Sequence, residues 1–373
     1  MSERTSNPFR FTGPVETVEL IDRDAQTVQI LENARGGHLT RLEAPRRYGK
    51  TSLLKRVLAE AASEGMATAM VDFEDVLSLG AIVTRIERGY GASLGGSLRR
   101  WVNRHVESWQ LGLSLGPVGF GMTLRTNPTM EVEPVLLRLL SLPEAIRAKH
   151  GVRTLIVFDE VQGLLRVEGA AGIVRSVIQH HYDDGSYVFA GSAPSLMSRM
   201  FDDPEAPFLS QGVPLALPPL SAEALADDVQ ARFRSTGRDA GEALDELVRF
   251  SRGHPQRSML LAHHLWSRVP RAGEADLDDW LDARDTAVEQ QDAFLRAQLH
   301  TLPLNEQRAA AALALNPGGA TSQEALNLVG LSRNSAYGAV SALRDRGEAI
   351  DTPLGLRLTD PLMEHWLRER KEL

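Results

Sequence analysis

The segment that most constrains the fold is Thr154-Leu-Ile-Val-Phe-Asp159-Glu160. Its four consecutive apolar residues leave no polar face, so they suit a central strand buried on both sides, with two carboxylates at its end. Tyr187-Val-Phe-Ala-Gly-Ser192 repeats the pattern, and 38–43 and 66–73 are further strand candidates. Between these runs the periodicity becomes helical. Lys50 to Ser63 puts Leu53, Leu54, Val57, Leu58 and Ala61 on one side, with Gly65 as a stop. Leu20 to Leu31 has helical spacing with Asp22 as its cap. Strands alternating with helices imply an α/β fold: a parallel sheet with helices on both faces, which takes ligands at the carboxyl ends of its strands.

A chain of 373 residues, 43% hydrophobic and 24% charged, has a globular composition and room for two or three domains. The absence of cysteine excludes disulfides and thiolate metal sites. The polar start Met1 to Asn7 lacks the apolar core of a secretory signal, and the sequence has no apolar run of about 18 residues, so a cytoplasmic protein without membrane spans is expected. A net charge of -8 argues against broad phosphate-driven binding of nucleic acid.

Ala44-Pro45-Arg46-Arg47-Tyr48-Gly49-Lys50-Thr51-Ser52 lies between a strand candidate and a strongly periodic helix, which is the setting of a P-loop. In such a loop the backbone N–H groups and the helix dipole face phosphate oxygens; Lys50 reaches the β- and γ-phosphates, and Thr51 offers a hydroxyl to Mg2+. The loop departs from GxxxxGKT at its first position, where Ala44 requires a negative φ. Asp159 fits a magnesium-side carboxylate and Glu160 a water-activating base, on a strand expected next to the loop's own. Ser192 is either a γ-phosphate or water contact or an ordinary turn residue.

The expected organisation is an α/β domain over 1–217, with a hairpin insertion at about 108–126, then a helical lid over 218–296 and a C-terminal module over 297–373. The insertion rests on Leu111-Gly-Leu-Ser-Leu and Phe120-Gly-Met-Thr-Leu flanking Pro117. A helix leading to Thr154 is expected to break near Pro143. Ser221 is a cap candidate with Leu220 and Leu225 as a staple, and Gly253-His254-Pro255 reads as a junction between helices.

Asn7-Pro8-Phe9, Leu20-Ile-Asp22-Arg23-Asp, the loop 44–52, Val157-Phe-Asp-Glu, Gly191-Ser192 and Gly253-His254-Pro255 together resemble the archaeal-type ATPase family, in the STAND branch of AAA-like ATPases. The resemblance runs from Asn7 to about Trp266. It implies an ASCE-type P-loop NTPase core, a helical lid and a C-terminal winged helix. It also places Asp22 and Arg23 near the nucleotide, Ser192 at the first sensor position, His254 at the phosphates and Pro255 near the base. Arg257 is either a second sensor or, by default, a helix-surface arginine. Where family members often carry Gly-Arg before the last core strand, this chain has Ser210-Gln211, which points to slow hydrolysis.

Residues 321–347 read as helix, turn at Gly330 and a second helix capped by Ser332, with Arg333, Asn334 and Tyr337 facing outward. Gly355 with Leu354, Leu356 and Leu358 suggests a wing. Eight Lys and Arg stand against nine Asp and Glu from 297 to 373, a net of -1. That balance does not favour DNA and leaves a protein partner or intramolecular docking as the stronger expectation. The function expected is an ATP/ADP-dependent, Mg2+-using molecular switch; the alternative is an ATP-modulated DNA-binding regulator. Oligomeric state is open.

Overall fold

A computed structural model describes residues 6–13, 20–107, 132–317, 319 and 321–370. The hairpin expected at about 108–126 lies outside the described residues. The chain divides into two units: residues 24–44 with 53–216, and residues 1–23, 45–52 and 217–373.

The first unit is built on a parallel sheet. Its strands are β1 (Thr40–Glu43), β2 (Ala67–Asp72), β3 (Thr154–Asp159), β4 (Gly185–Gly191) and β5 (Val213–Ala216). Their order across the sheet is β2-β3-β4-β1-β5. All six residues of β3 and all seven of β4 are buried, as their apolar runs require in the middle of a covered sheet. One expectation is corrected here: β3 is not the neighbour of β1, because β4 lies between them, pairing Thr40 with Val188 on one side and Val157 with Val188 on the other. Sequence order carries no information on which parallel strand inserts between two others.

Local signals set most helix limits. The helix Lys50–Ser63 is followed by Gly65 at φ 87°. The break near Pro143 falls at Ser141, between Val132–Leu140 and Leu142–His150, with Pro143 in the first turn of the second helix. The N-terminal helix, however, runs Asp24–Arg35 rather than 20–31. Asp22 is not its cap: it takes a left-handed φ of 52°, and its carboxylate accepts a hydrogen bond from Ser221 N–H at 2.8 Å.

Within this unit Glu87, on the helix Leu79–Ser93, is 2% exposed among apolar neighbours. Its Oε1 has no hydrogen-bond partner among the described residues. Burial pushes its carboxyl up to about 7. A raised acid favours folding below its unfolded value and loses that contribution as pH rises through 7. Glu87→Gln should therefore stabilise the protein by on the order of 2 kcal/mol at pH 8 and by little at pH 4.5. Urea unfolding at both pH values checks this; an equal gain at the two would show that desolvation of the charge is not the cause.

Among its described residues the second unit is helical apart from one antiparallel hairpin and an isolated bridge between Asp239 and Glu274. Its helices are Ala222–Ser235, Ala243–Ser251, Pro255–Arg268, Leu277–His300, Leu304–Leu315, Gln323–Val329, Arg333–Asp345 and Pro361–Glu369. The hairpin pairs β6 (Ala349–Thr352) with β7 (Gly355–Leu358). Ser221 and Ser332 cap their helices through Ala224 N–H and Ser335 N–H, and Gly330 ends Gln323–Val329 at φ 63°. One 24-residue helix, Leu277–His300, runs through position 297. Gly253 is held by close approach: a Cβ there would lie 2.1 Å from Leu220 O, whose own N–H donates to Gly253 O at 2.9 Å. One continuous core, including Phe9, Phe233, Leu260, Leu295, Leu313 and Trp366, fills this unit.

Candidate functional site

The loop 45–52 belongs to the helical unit. Ala44 is not among the left-handed residues, so replacing the usual glycine strains no backbone. The positive φ values fall on Arg47 (67°) and Gly49 (82°) instead. The helix starts at Lys50, and its first N–H groups and dipole make the loop's end an anion-seeking terminus. Lys50 and Ser52 are buried, Pro45, Gly49 and Thr51 are half-buried, and Arg46 is exposed.

Two loop side chains pack on helices more than 200 residues later in the chain. The Arg47 guanidinium lies 4.3 Å from the Phe294 ring centroid. Tyr48 is buried and edge-on to His254, with centroids 5.1 Å apart. Burial pushes the Tyr48 hydroxyl up to about 12, so it stays neutral. His254 is 3% exposed and caps the helix Pro255–Arg268, its Nδ1 accepting from Arg257 N–H at 3.3 Å. Burial holds the His254 ring down to about 4, against the opposing pull of Asp360. At neutral pH it is thus an uncharged cap and a packing partner for Tyr48. Pro255 occupies the first turn behind it. Asp22 and Arg23 sit against the start of the helical segment: buried Arg23 donates to Asp22 O at 3.1 Å and to Pro218 O at 2.9 Å.

Arg257 overturns its default reading as a surface arginine. It is 0% exposed, and its Nε lies 3.0 Å from both oxygens of Asp360, while its Nη1 donates to Gln291 Oε1 at 3.2 Å. Asp360 in turn caps the helix Pro361–Glu369 by accepting from Leu362 N–H at 2.9 Å. Burial works to raise the Asp360 carboxyl, but Arg257 outweighs it and holds the group below its ordinary value. Arg252 adds a bond to Glu364 at 2.7 Å and one to Leu358 O at 3.0 Å. The residues from Tyr48 through His254 and Arg257 to Asp360 are therefore in unbroken contact.

In the sheet unit, β3 ends on buried Asp159, whose Oδ1 accepts from Glu160 N–H at 3.0 Å. Glu160 is left-handed at φ 49° and opens the 3-10 turn Val161–Arg166. Ser192, just past β4, donates its hydroxyl to Glu160 Oε2 at 2.8 Å, and Gln162 Nε2 reaches the same oxygen at 2.5 Å. Asp159 and Glu160 at the end of β3 thus lie next to Ser192 at the end of β4. Gln162 was not singled out from sequence, although it is the one polar side chain in Val161-Gln-Gly-Leu-Leu. Ahead of β5, Ser210 is left-handed and Gln211 accepts from the Tyr182 hydroxyl at 3.1 Å, so these positions carry turn and packing roles.

Residues 13–84 match the AAA-like domain family. The chain matches no curated protein. Among solved structures it is similar to the Walker-type ATPase PABY2304 of Pyrococcus abyssi, at 15% identity and TM-score 0.70, over 96% of this chain and 99% of that one. It is also similar to the ORC2 protein of Aeropyrum pernix in its ADPNP-ADP complexes, at 16% identity and TM-score 0.59, over 96% and 95% of the two chains. The fold is that of the P-loop ATPases.

Proposed function

We propose that the chain binds ATP and ADP at the loop 44–52 with Mg2+, hydrolyses ATP slowly, and works as a nucleotide-dependent switch of the archaeal-type, STAND-like kind. Phosphate binding is supported by Lys50 and the helix start behind Gly49, and by the two structural relatives, a Walker-type ATPase and a protein seen with ADPNP and ADP. Thr51 and Asp159 supply hard oxygen donors, and one or two protein oxygens with phosphates and waters is the set Mg2+ takes. Bound there, the ion would neutralise charge on the phosphates. Glu160 is assigned as the base that activates water, with Ser192 as its hydrogen-bond partner. The lack of an arginine at Ser210-Gln211 supports slow turnover.

The observation that carries the switch is the pairing of loop residues with the C-terminal half of the chain: Tyr48 on His254 and Arg47 on Phe294. A loop that reorders around phosphates must move these two side chains. Tyr48 then passes the change to His254, Arg257 and Asp360, which anchors the last helix next to β7. We assign this C-terminal module, residues 297–373, as a winged helix for protein or intramolecular docking. Tyr337 is 60% exposed on its second helix, but a net charge of -1 does not supply a DNA footprint. Among the described residues no helix is long and apolar enough to cross a membrane, and a cytoplasmic site of action fits the nucleotide. Equilibrium titration of the full chain with ATP and ADP tests the reading: saturable binding of both supports it, and binding of neither removes it.

A further inference from the structure

Gln162 is a buried polar residue with no role in the proposed reaction. Its amide nitrogen meets Glu160 Oε2 at 2.5 Å, while its Oε1 is buried with no hydrogen-bond partner among the described residues. The amide has only one permissible orientation, because the reverse would set a carbonyl oxygen against a carboxylate. A leucine or methionine would fill the same space without orphaning an acceptor, so packing alone does not explain a glutamine here. The surroundings are shaped to admit it. A Cβ on Gly191 would lie 2.7 Å from Gln162 Oε1 and 2.3 Å from Met197 Sδ, so glycine at 191 lets both side chains keep these positions.

We infer that Gln162 is a positioning residue for the Glu160 carboxylate, seated by Gly191 and acting together with Ser192. The inference rests on the assignment of Glu160 as the water-activating base. Two donors on one oxygen fix the rotation of the carboxylate about its side chain, and a charge-assisted bond from an uncharged amide does so without forming an ion pair. The backbone at Glu160 is pinned as well: its N–H donates to Asp159 Oδ1 at 3.0 Å, and its carbonyl accepts from Gly163 N–H at 2.8 Å. Glu160 is thereby over-determined at a left-handed φ that a non-glycine residue rarely holds. A base held in this way meets the attacking water in one geometry, and a misplacement of about 1 Å is enough to cost about a hundredfold in rate.

The test is phosphate release from ATP·Mg2+ by the full chain, comparing wild type, Gln162→Met, Glu160→Gln and the double variant. Gln162→Met keeps the volume and removes the donor. It should lower kcat by about tenfold to a hundredfold, leaving KM for ATP and the thermal unfolding midpoint unchanged. In the Glu160→Gln background the same change should alter kcat by less than about twofold, because a residue that acts through Glu160 has nothing left to position. Gln162→Asn, one methylene too short to reach, should behave like the methionine variant and serves if that one folds poorly. The inference is overturned by an unchanged kcat in whichever of the two variants folds, by a fall that comes with a matching loss of ATP affinity, or by effects that multiply in the double variant. Wild type without turnover, or turnover untouched by Glu160→Gln, removes the Glu160 assignment and with it this inference.

Discussion

Glu160→Gln retains ATP binding and loses about a hundredfold to ten-thousandfold in turnover, the span that general-base catalysis contributes. The substitution keeps the side chain's shape but leaves no carboxylate to take a proton from water. It also sets an amide opposite Gln162 and Ser192, which both donate to Oε2 in the native chain; the new group can accept from them only through its carbonyl, with its NH2 turned to where the water is expected. Single-turnover phosphate release at saturating ATP measures the effect apart from nucleotide exchange. A rate within about threefold of wild type would show that the base lies elsewhere.

Asp360→Ala costs about 3–5 kcal/mol of stability, the penalty for leaving a buried charge without its partner. Arg257 is 0% exposed, and apart from Asp360 its guanidinium donates to Gln291 Oε1 at 3.2 Å. Since whole domains are stable by about 5–15 kcal/mol, this is a large share. The same loss removes the acceptor that caps Leu362 N–H and Met363 N–H. Urea unfolding followed by tryptophan fluorescence reports on it directly, because Trp266, Trp280 and Trp366 all lie in the helical core. The paired replacement Arg257→Met with Asp360→Leu should recover most of the loss, since apolar substitutes for a buried pair are often neutral or better. A cost under about 1 kcal/mol for Asp360→Ala would mean that the pair is hydrated and does not tie the last helix to the one that begins at Pro255.

Sequence was sufficient where the signal is local. The apolar runs ending at Asp159 and Ser192 were legible because burial on both faces leaves no polar alternation, and the loop 44–52 because its chemistry is contiguous. The caps at Ser221 and Ser332 and the stop at Gly330 followed from backbone preferences of single residues. What sequence could not show is pairing over distance. Arg257 and Asp360 are 103 positions apart, and nothing in either segment announces the other, although Asp360-Pro361 carries a helix-start signature that makes Asp360 a cap candidate. The placement of β4 between β1 and β3 was missed for the same reason. The helix start was placed at 20 rather than 24 because Leu20 and Ile21 continue the apolar spacing of the helix, while Ile21 instead packs into the helical core. Gln162 escaped notice because its task arises from the 3-10 turn, which folds it back onto Glu160.

Every proposed site role depends on phosphate binding at the loop, and equilibrium titration of ATP with wild type and Lys50→Ala tests that most directly. Lys50 begins the helix behind Gly49 and is the one ammonium in the loop. Removing a charged donor to phosphate should weaken ATP by at least about tenfold, with thermal unfolding of the nucleotide-free protein little changed. Equal affinity in the two proteins would contradict the site, and with it every role assigned here to Thr51, Asp159 and Glu160.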